Sequence, residues 1–321
     1  MKSYDLFYPS VSGRDTVAGY IRQPDGAPRA VIQISHGMCE YFGRYEWFAQ
    51  VAAQAGIAVC GNDHLGHGNT AKNADGLGYF APKDGWKLLA QDVHTMTSEI
   101  NKRFEGVPVI LLGHSMGSFV ARDYLNLYPD AVQGAIICGT AGKNPLSGIG
   151  KFLTALIGLF RGQKHRTPFI RGLSFGGYCD RCPEKRTDCD WLTKDTAIVD
   201  KYCADPFCNY VFTASAYMDL MKILDYVNTD KGTANLNKKL PYLFIAGQED
   251  PVGSYGKGVA ESAELFIKAG CENVGVKLYP DDRHELLNEL DRETVAADII
   301  AFADGVVAAC GTSEVAAQSE Q

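Results

Sequence analysis

Short apolar runs alternate along this chain with stretches in which apolar residues recur every three or four positions. AVIQIS (30–35) precedes an amphipathic stretch around 47–55, GIAVCGND (56–63) precedes a helical pattern near 86–104, and VPVILL (107–112) precedes ARDYLNLY (121–128). AIICGT (135–140), PYLFIAG (241–247), a helical stretch near 258–269 and VGVKLYP (274–280) continue the series. Strand-length runs that are apolar throughout belong inside a sheet covered on both faces. The alternation therefore predicts an α/β fold with a mostly parallel central sheet flanked by helices.

The pattern stops between 144 and 228. This stretch is rich in aromatics, holds five of the ten cysteines and shows no buried-strand run. It is expected to be a helical cap, or lid, inserted over one end of the sheet, with the core in 1–143 and 229–310. The small polar residues of 311–321 are expected to form a mobile tail. Within the cap, Ile149, Phe152, Leu153, Leu156 and Phe160 share one face of a helix. Two readings of that face stay open: it packs on the core, or it forms the wall of a channel for a lipid-like substrate.

Composition changes this picture little. Apolar residues at 46% and charged residues at 21% suffice for a substantial core and exclude disorder for the bulk of the chain. A net charge of -7 without a Lys/Arg cluster argues against nucleic acid as a partner and favours a small-molecule or lipid substrate. The first residues lack an apolar run of signal-peptide length and no stretch approaches the roughly 20 apolar residues of a membrane span, so a cytoplasmic protein is expected. Cys60 and Cys138 sit in apolar runs as small hydrophobes, which fits a reducing compartment.

The candidate chemistry begins at Gly113-His114-Ser115-Met116-Gly117, a G-x-S-x-G string between the strand pattern VPVILL and a helical one. That frame is the nucleophile elbow, a sharp turn that leaves its serine exposed. A serine hydroxyl needs a base, and the order serine, acid, histidine requires one C-terminal to Ser115. His165 lies in the cap between Lys164 and Arg166, whereas His284 follows the last strand pattern and is the better candidate. The acid should end an intervening strand, and PYLFIAG runs into Gln248-Glu249-Asp250-Pro251, leaving Asp250 or Glu249. Backbone amides of Met116 and, beyond AVIQIS, of Met38 are the candidate oxyanion donors, with Gly37 permitting close approach. His36 reads as a brace.

The segments HGMCEYFGRYEWFA (36–49), NDHLGHGNT (62–70), GHSMGSFVARDYL (113–125), AGQEDPVG (246–253) and YPDDRHELLNE (279–289) resemble the monoacylglycerol lipase and lysophospholipase branch of the α/β-hydrolases. The resemblance implies a serine esterase with Ser115, Asp250 and His284 as its triad, Met38 and Met116 as its oxyanion donors, and Glu40 and Arg44 as polar bracing residues near the glycerol end. Cys39 stands where that family commonly has glycine, which puts the loop conformation in question. The cap, where substrate choice is usually decided, matches least well. It is a candidate for transient contact with a membrane surface.

Two constellations invite a metal. Cys179-x-x-Cys182, with Cys189, Cys203 and Cys208 beyond, lacks a second tight pair and is expected to hold unpaired thiols, with a disulfide or zinc as lesser readings. The resemblance makes Asp63, His64 and His67 part of a Gly-rich loop beside the site, so neither a metal nor a cofactor is expected. Two other functions compete with ester hydrolysis. An aminopeptidase would use cap acids such as Glu184, Asp188, Asp190 and Asp195 to hold a free amine, and a non-catalytic binding protein would dispense with part of the triad, of which no member is missing.

Overall fold

The computed structural model describes residues 1–319, with side chains as far as Gly311. Its centre is an eight-stranded sheet ordered β1-β2-β4-β3-β5-β6-β7-β8. The strands are β1 (Lys2–Pro9), β2 (Thr16–Gln23), β3 (Ala30–Ser35), β4 (Ile57–Asn62), β5 (Val109–His114), β6 (Gly134–Cys138), β7 (Pro241–Gly247) and β8 (Asn273–Tyr279). β3 to β8 run parallel, while β1 and β2 form an antiparallel hairpin whose second strand pairs antiparallel with β4. The sequence pattern did not reveal the hairpin. β1 is an edge strand exposed at most positions, so the continuous apolar signal that betrays β3 and β5 is missing from it.

β3, β4, β5 and β6 are buried at every position. Alternate residues feed two cores. Val31, Leu111, Ile137 and Phe244 meet α2 (Trp86–Arg103), α3 (Met116–Leu127) and α8 (Lys257–Lys268). Ile32, Ile110, Leu112 and Ile136 meet α1 (Glu46–Gln54) and α9 (Arg292–Ser319) on the other face. The stretch Arg292–Gly311 of α9 is, against the sequence expectation, long and apolar enough to cross a membrane, with a mean hydropathy of 1.6. Val295, Ala296, Ile299, Ala303 and Val306 instead bury one side of it against the sheet. The helix also enters the stretch expected to be a tail, of which Glu320 and Gln321 lie outside the described residues.

The insertion between β6 and β7 carries α4 (Ser147–Arg161), α5 (Pro168–Phe175), α6 (Thr196–Ala204) and α7 (Ala214–Val227). α7 falls inside the 144–228 stretch read as cap, yet Ala216, Tyr217, Ile223 and Val227 are buried in the main core beside α2 and α3. The chain order reverses between β3 and β5, and ligands of open α/β sheets bind beyond the strands' carboxyl ends at such a switch point.

Close packing of β3 against α3 at that point depends on two glycines. A Cβ on Gly117 would lie 1.9 Å from the Ser35 carbonyl oxygen and 2.4 Å from that of His36, and a Cβ on Gly113 would lie 2.4 Å from the Gly117 oxygen. Backbone cannot yield as a flexible side chain does. Gly117→Ala is therefore expected to destabilise the protein by about 3 kcal/mol or more, measured by denaturant unfolding, whereas Gly148→Ala, which meets open space, should not.

Candidate active site

Ser115 joins β5 to α3 with φ 54° and ψ -122°, a conformation that non-glycine residues rarely adopt. Such a residue costs of order 1–3 kcal/mol and persists only where its surroundings over-determine it. Here the Ser115 N–H donates to the Cys138 carbonyl at 3.0 Å, and its own carbonyl accepts from the Ser118 N–H at 2.8 Å and the Ser118 hydroxyl at 2.6 Å. The side chain stands half-buried at the carboxyl edge of the sheet.

Asp250 lies beyond β7 and His284 beyond β8. The two meet with His284 Nδ1 3.0 Å from Asp250 Oδ2, the carboxylate fully buried and the imidazole nearly so. A carboxylate only accepts, so Nδ1 carries the proton and Nε2 is left with its lone pair. Glu249, the alternative acid, is exposed. A Cβ on Gly247 would lie 2.1 Å from the Asp282 oxygen, so only glycine lets the end of β7 touch the loop that delivers His284. Ser115 and His284 flank the end of β6: Cys138 receives the Ser115 N–H, and a Cβ on the next residue, Gly139, would lie 3.1 Å from His284 Cε1.

The loop after β3 reaches the same place. A Cβ on Gly37, the residue before Met38, would be 3.1 Å from Ser115 Cβ, so this loop runs close against the nucleophile's turn. Met116 opens α3, so its N–H is one of the helix-initial donors that have no partner within the helix. Cys39 takes the left-handed conformation that glycine favours, φ 55°, and its thiol donates to the Tyr210 carbonyl at 3.0 Å. His36 braces this loop, donating from Nδ1 to the Gly37 carbonyl and accepting the His64 N–H at Nε2. Burial holds the His64 imidazole neutral and pushes His67 down to about 3. Asp63 accepts from Tyr20, Phe42 and Asn69, which ties down its own loop.

Glu40 and Arg44 are engaged by the protein itself. Glu40 Oε1 accepts from the Gly37 N–H at 2.5 Å, the Tyr45 hydroxyl at 2.9 Å and His114 Nδ1 at 2.9 Å, while Oε2 accepts from Arg44 at 3.0 Å. Arg44 grips both oxygens of Glu285, the neighbour of His284, at 2.5 and 2.7 Å. Burial alone would raise the Glu40 pKa, but His114 and then Arg44 outweigh it and hold the carboxyl below its usual range. Burial opposes a charged His114, and Glu40 outweighs that too, raising the imidazole. Sequence reasoning missed His114, although it adjoins Ser115, because nothing local marks its partner 74 positions away.

The cap residues divide. Leu153 packs against the core, whereas Ile149, Phe152 and Phe160 are 61%, 63% and 79% exposed, and Leu156 is at the margin. The helix instead buries Ser147, Thr154 and Gly158, so of the two open readings, packing on the core fails for most of this face. Leu153, Leu156 and Ile157 line a groove of about 450 Å³ with His165 and Phe169. Three of the four candidate cap acids are engaged locally, Asp188 with Lys185, Asp190 with the Arg186 and Thr187 amides and Asp195 as the cap of α6, while Glu184 is exposed.

Residues 26–291 match the family model described as serine aminopeptidase, S33. The chain belongs to this family. Its relatives include the monoacylglycerol lipase of Mycolicibacterium smegmatis, 26% identical over 87% of this chain and 89% of that one. The monoglyceride lipase of Homo sapiens is 33% identical over 85% and 80%. A thermostable carboxyl esterase from Bacillus coagulans, solved in complex with glycerol, superposes with a TM-score of 0.88 at 29% identity, covering 96% of this chain and 99% of that one. The fold is that of the α/β-hydrolases, as the resemblance implied.

Glu40→Gln tests the buried network. A lowered carboxylate stabilises the fold above its ordinary value of 4.5, and a raised histidine does so below its ordinary value of 6.5, the latter contribution fading as pH rises through the native value. The variant should lose about 3 kcal/mol at pH 6. Denaturant unfolding over a pH series above 6.5 should show the difference from the parent shrinking as pH rises through the raised native value of His114.

Proposed function

We propose that this chain hydrolyses monoacylglycerols or similar monoacyl lipids through an acyl-enzyme on Ser115. The observation that carries the reading is the buried His284–Asp250 pair at 3.0 Å, set at the sheet edge beside a serine held in a strained turn. Ser115 Oγ attacks the ester carbonyl as His284 Nε2 takes its proton, and Asp250 keeps the imidazole in the required tautomer and stabilises its protonated form. The Met38 and Met116 amides receive the developing oxyanion. The imidazolium then protonates the departing glycerol oxygen. Water, activated by the same base, releases the fatty acid and restores the serine.

The names of the relatives support an ester over a peptide. So does the cap, whose acids are engaged in local structure or turned to solvent and so offer no evident site for a free amine. The exposed apolar face of α4, continued by Phe169 and Leu173 of α5, supports transient contact with a lipid surface.

Ser115→Ala should remove ester hydrolysis and fluorophosphonate labelling while leaving the thermal melt unchanged; turnover within about tenfold of the parent would overturn the assignment. Asp250→Asn should cost on the order of 10⁴ in kcat, and Glu249→Gln should leave kcat within about twofold. For the cap, Phe152→Ser and Phe160→Ser should lower turnover of monoacylglycerol in vesicles several-fold, with that of a dissolved short-chain ester unchanged. Equal losses on both substrates would remove the surface-contact reading.

A further inference from the structure

Trp191 lies in the cap loop between α5 and α6, 93 positions from the base, and its ring centroid is 5.0 Å from that of His284 with the planes tilted by 41°. Two further rings pack on it. Phe175 stacks parallel to it at 6.4 Å and Tyr178 meets it edge-on at 5.0 Å. The chain on both sides of it is tied to the residues around His284. Arg283 Nη1 donates to the carbonyls of Asp190 at 2.7 Å and Thr193 at 3.2 Å, and the Glu285 N–H donates to the Leu192 carbonyl at 2.7 Å. The Thr193 hydroxyl adds a bond to the Asn288 carbonyl at 2.9 Å. The residues flanking the indole are thus bonded to the residues flanking the imidazole, so the two rings are registered with each other directly.

We propose that Trp191 is a positioning residue for His284, which confines the imidazole and favours its protonated form during the reaction. The inference rests on the reading of His284 as the general base. His284 is neutral before Ser115 gives up its proton and cationic in the tetrahedral intermediate. An aromatic face within about 6 Å attracts a cation far more than a neutral ring. The gain therefore falls on the transition state and should appear in kcat. The imidazole also faces the Asp250 carboxylate at Nδ1 and the His114 ring, whose centroid lies 4.8 Å away and whose Nδ1 faces Glu40. Trp191 is the cap's contribution to these surroundings, and it gives the insertion a part in the chemistry as well as in substrate choice.

The test compares Trp191→Leu, which keeps an apolar cover, with Trp191→Phe, which keeps an aromatic face. Both are made in the full chain and assayed with p-nitrophenyl butyrate and a medium-chain monoacylglycerol. Trp191→Leu should lower kcat by about 3- to 30-fold, the range expected of a cation–π contact, with KM changed less than about threefold and the melt unchanged. Trp191→Phe should recover kcat to within about threefold of the parent. Should the leucine variant melt early, Trp191→Met supplies a bulkier apolar cover for the same comparison. A loss in KM alone would make Trp191 a substrate wall, and equal losses in the leucine and phenylalanine variants would make it packing; either overturns the proposal. His284→Ala is run in parallel. If it retains the parent's kcat, the triad reading itself fails, whereas an inert His284→Ala beside a fully active Trp191→Leu rejects only the positioning role of Trp191.

Discussion

The buried Glu40 carboxylate is the interaction on which the rest of this site depends. It follows β3, pairs with His114 at the end of β5, and through Arg44 reaches Glu285 beyond β8. Removing an ionised carboxylate from water costs several kcal/mol, and the cost is offset only when every oxygen finds a donor. Here four protein donors converge on it. Three of them fix something the chemistry needs: the Gly37 amide sets the loop before Met38, the bond to His114 holds the residue before Ser115, and Arg44 holds the residue after His284. Three loops from distant parts of the chain are thereby kept in one geometry, and the strained backbone of Ser115 is held among them.

Much of this is legible in the sequence. The parallel strands announce themselves as uninterrupted apolar runs, and the order of Ser115, Asp250 and His284 follows from which strand each one ends. The residues alone leave Asp250 or Glu249 open and only the resemblance points to Asp250, because adjacent residues at a strand end share their local chemistry and differ only in what faces them. Arg44 and Glu285 lie 241 positions apart and Arg283 and Asp190 lie 93 apart, separations over which a single sequence carries no pairing signal. Periodicity also has a limit of its own. It places Ile149, Phe152 and Phe160 on one face of a helix but cannot say what that face meets, and the structure turns it outward. The same limit hides α7, whose apolar positions read as cap and pack as core.

Reactivity and recognition are thus divided between two kinds of structure. The reacting groups sit where backbone meets backbone at glycines, and there a single added carbon collides. The cap meets solvent with large apolar side chains and is joined to the base by a few hydrogen bonds to carbonyls around Trp191. Substitutions at the glycines of the first region are felt through the fold, and those on the exposed apolar face of α4 through what the protein can approach.

The insertion leaves the sheet after β6 and returns at β7, and these two strands are hydrogen-bonded neighbours. Whatever length of chain lies between them, the sheet closes in the same register. The part of the cap preceding α7 is therefore a cassette: it can be lengthened, shortened or exchanged while Ser115, Asp250 and His284, all borne on core strands, keep their spacing. Such an exchange must preserve the bonds that join this segment to the core, among them the strap from Arg283 and Glu285 to residues 190–193 and the Cys39–Tyr210 bond. A lineage built on this plan can change its diet without relearning its chemistry.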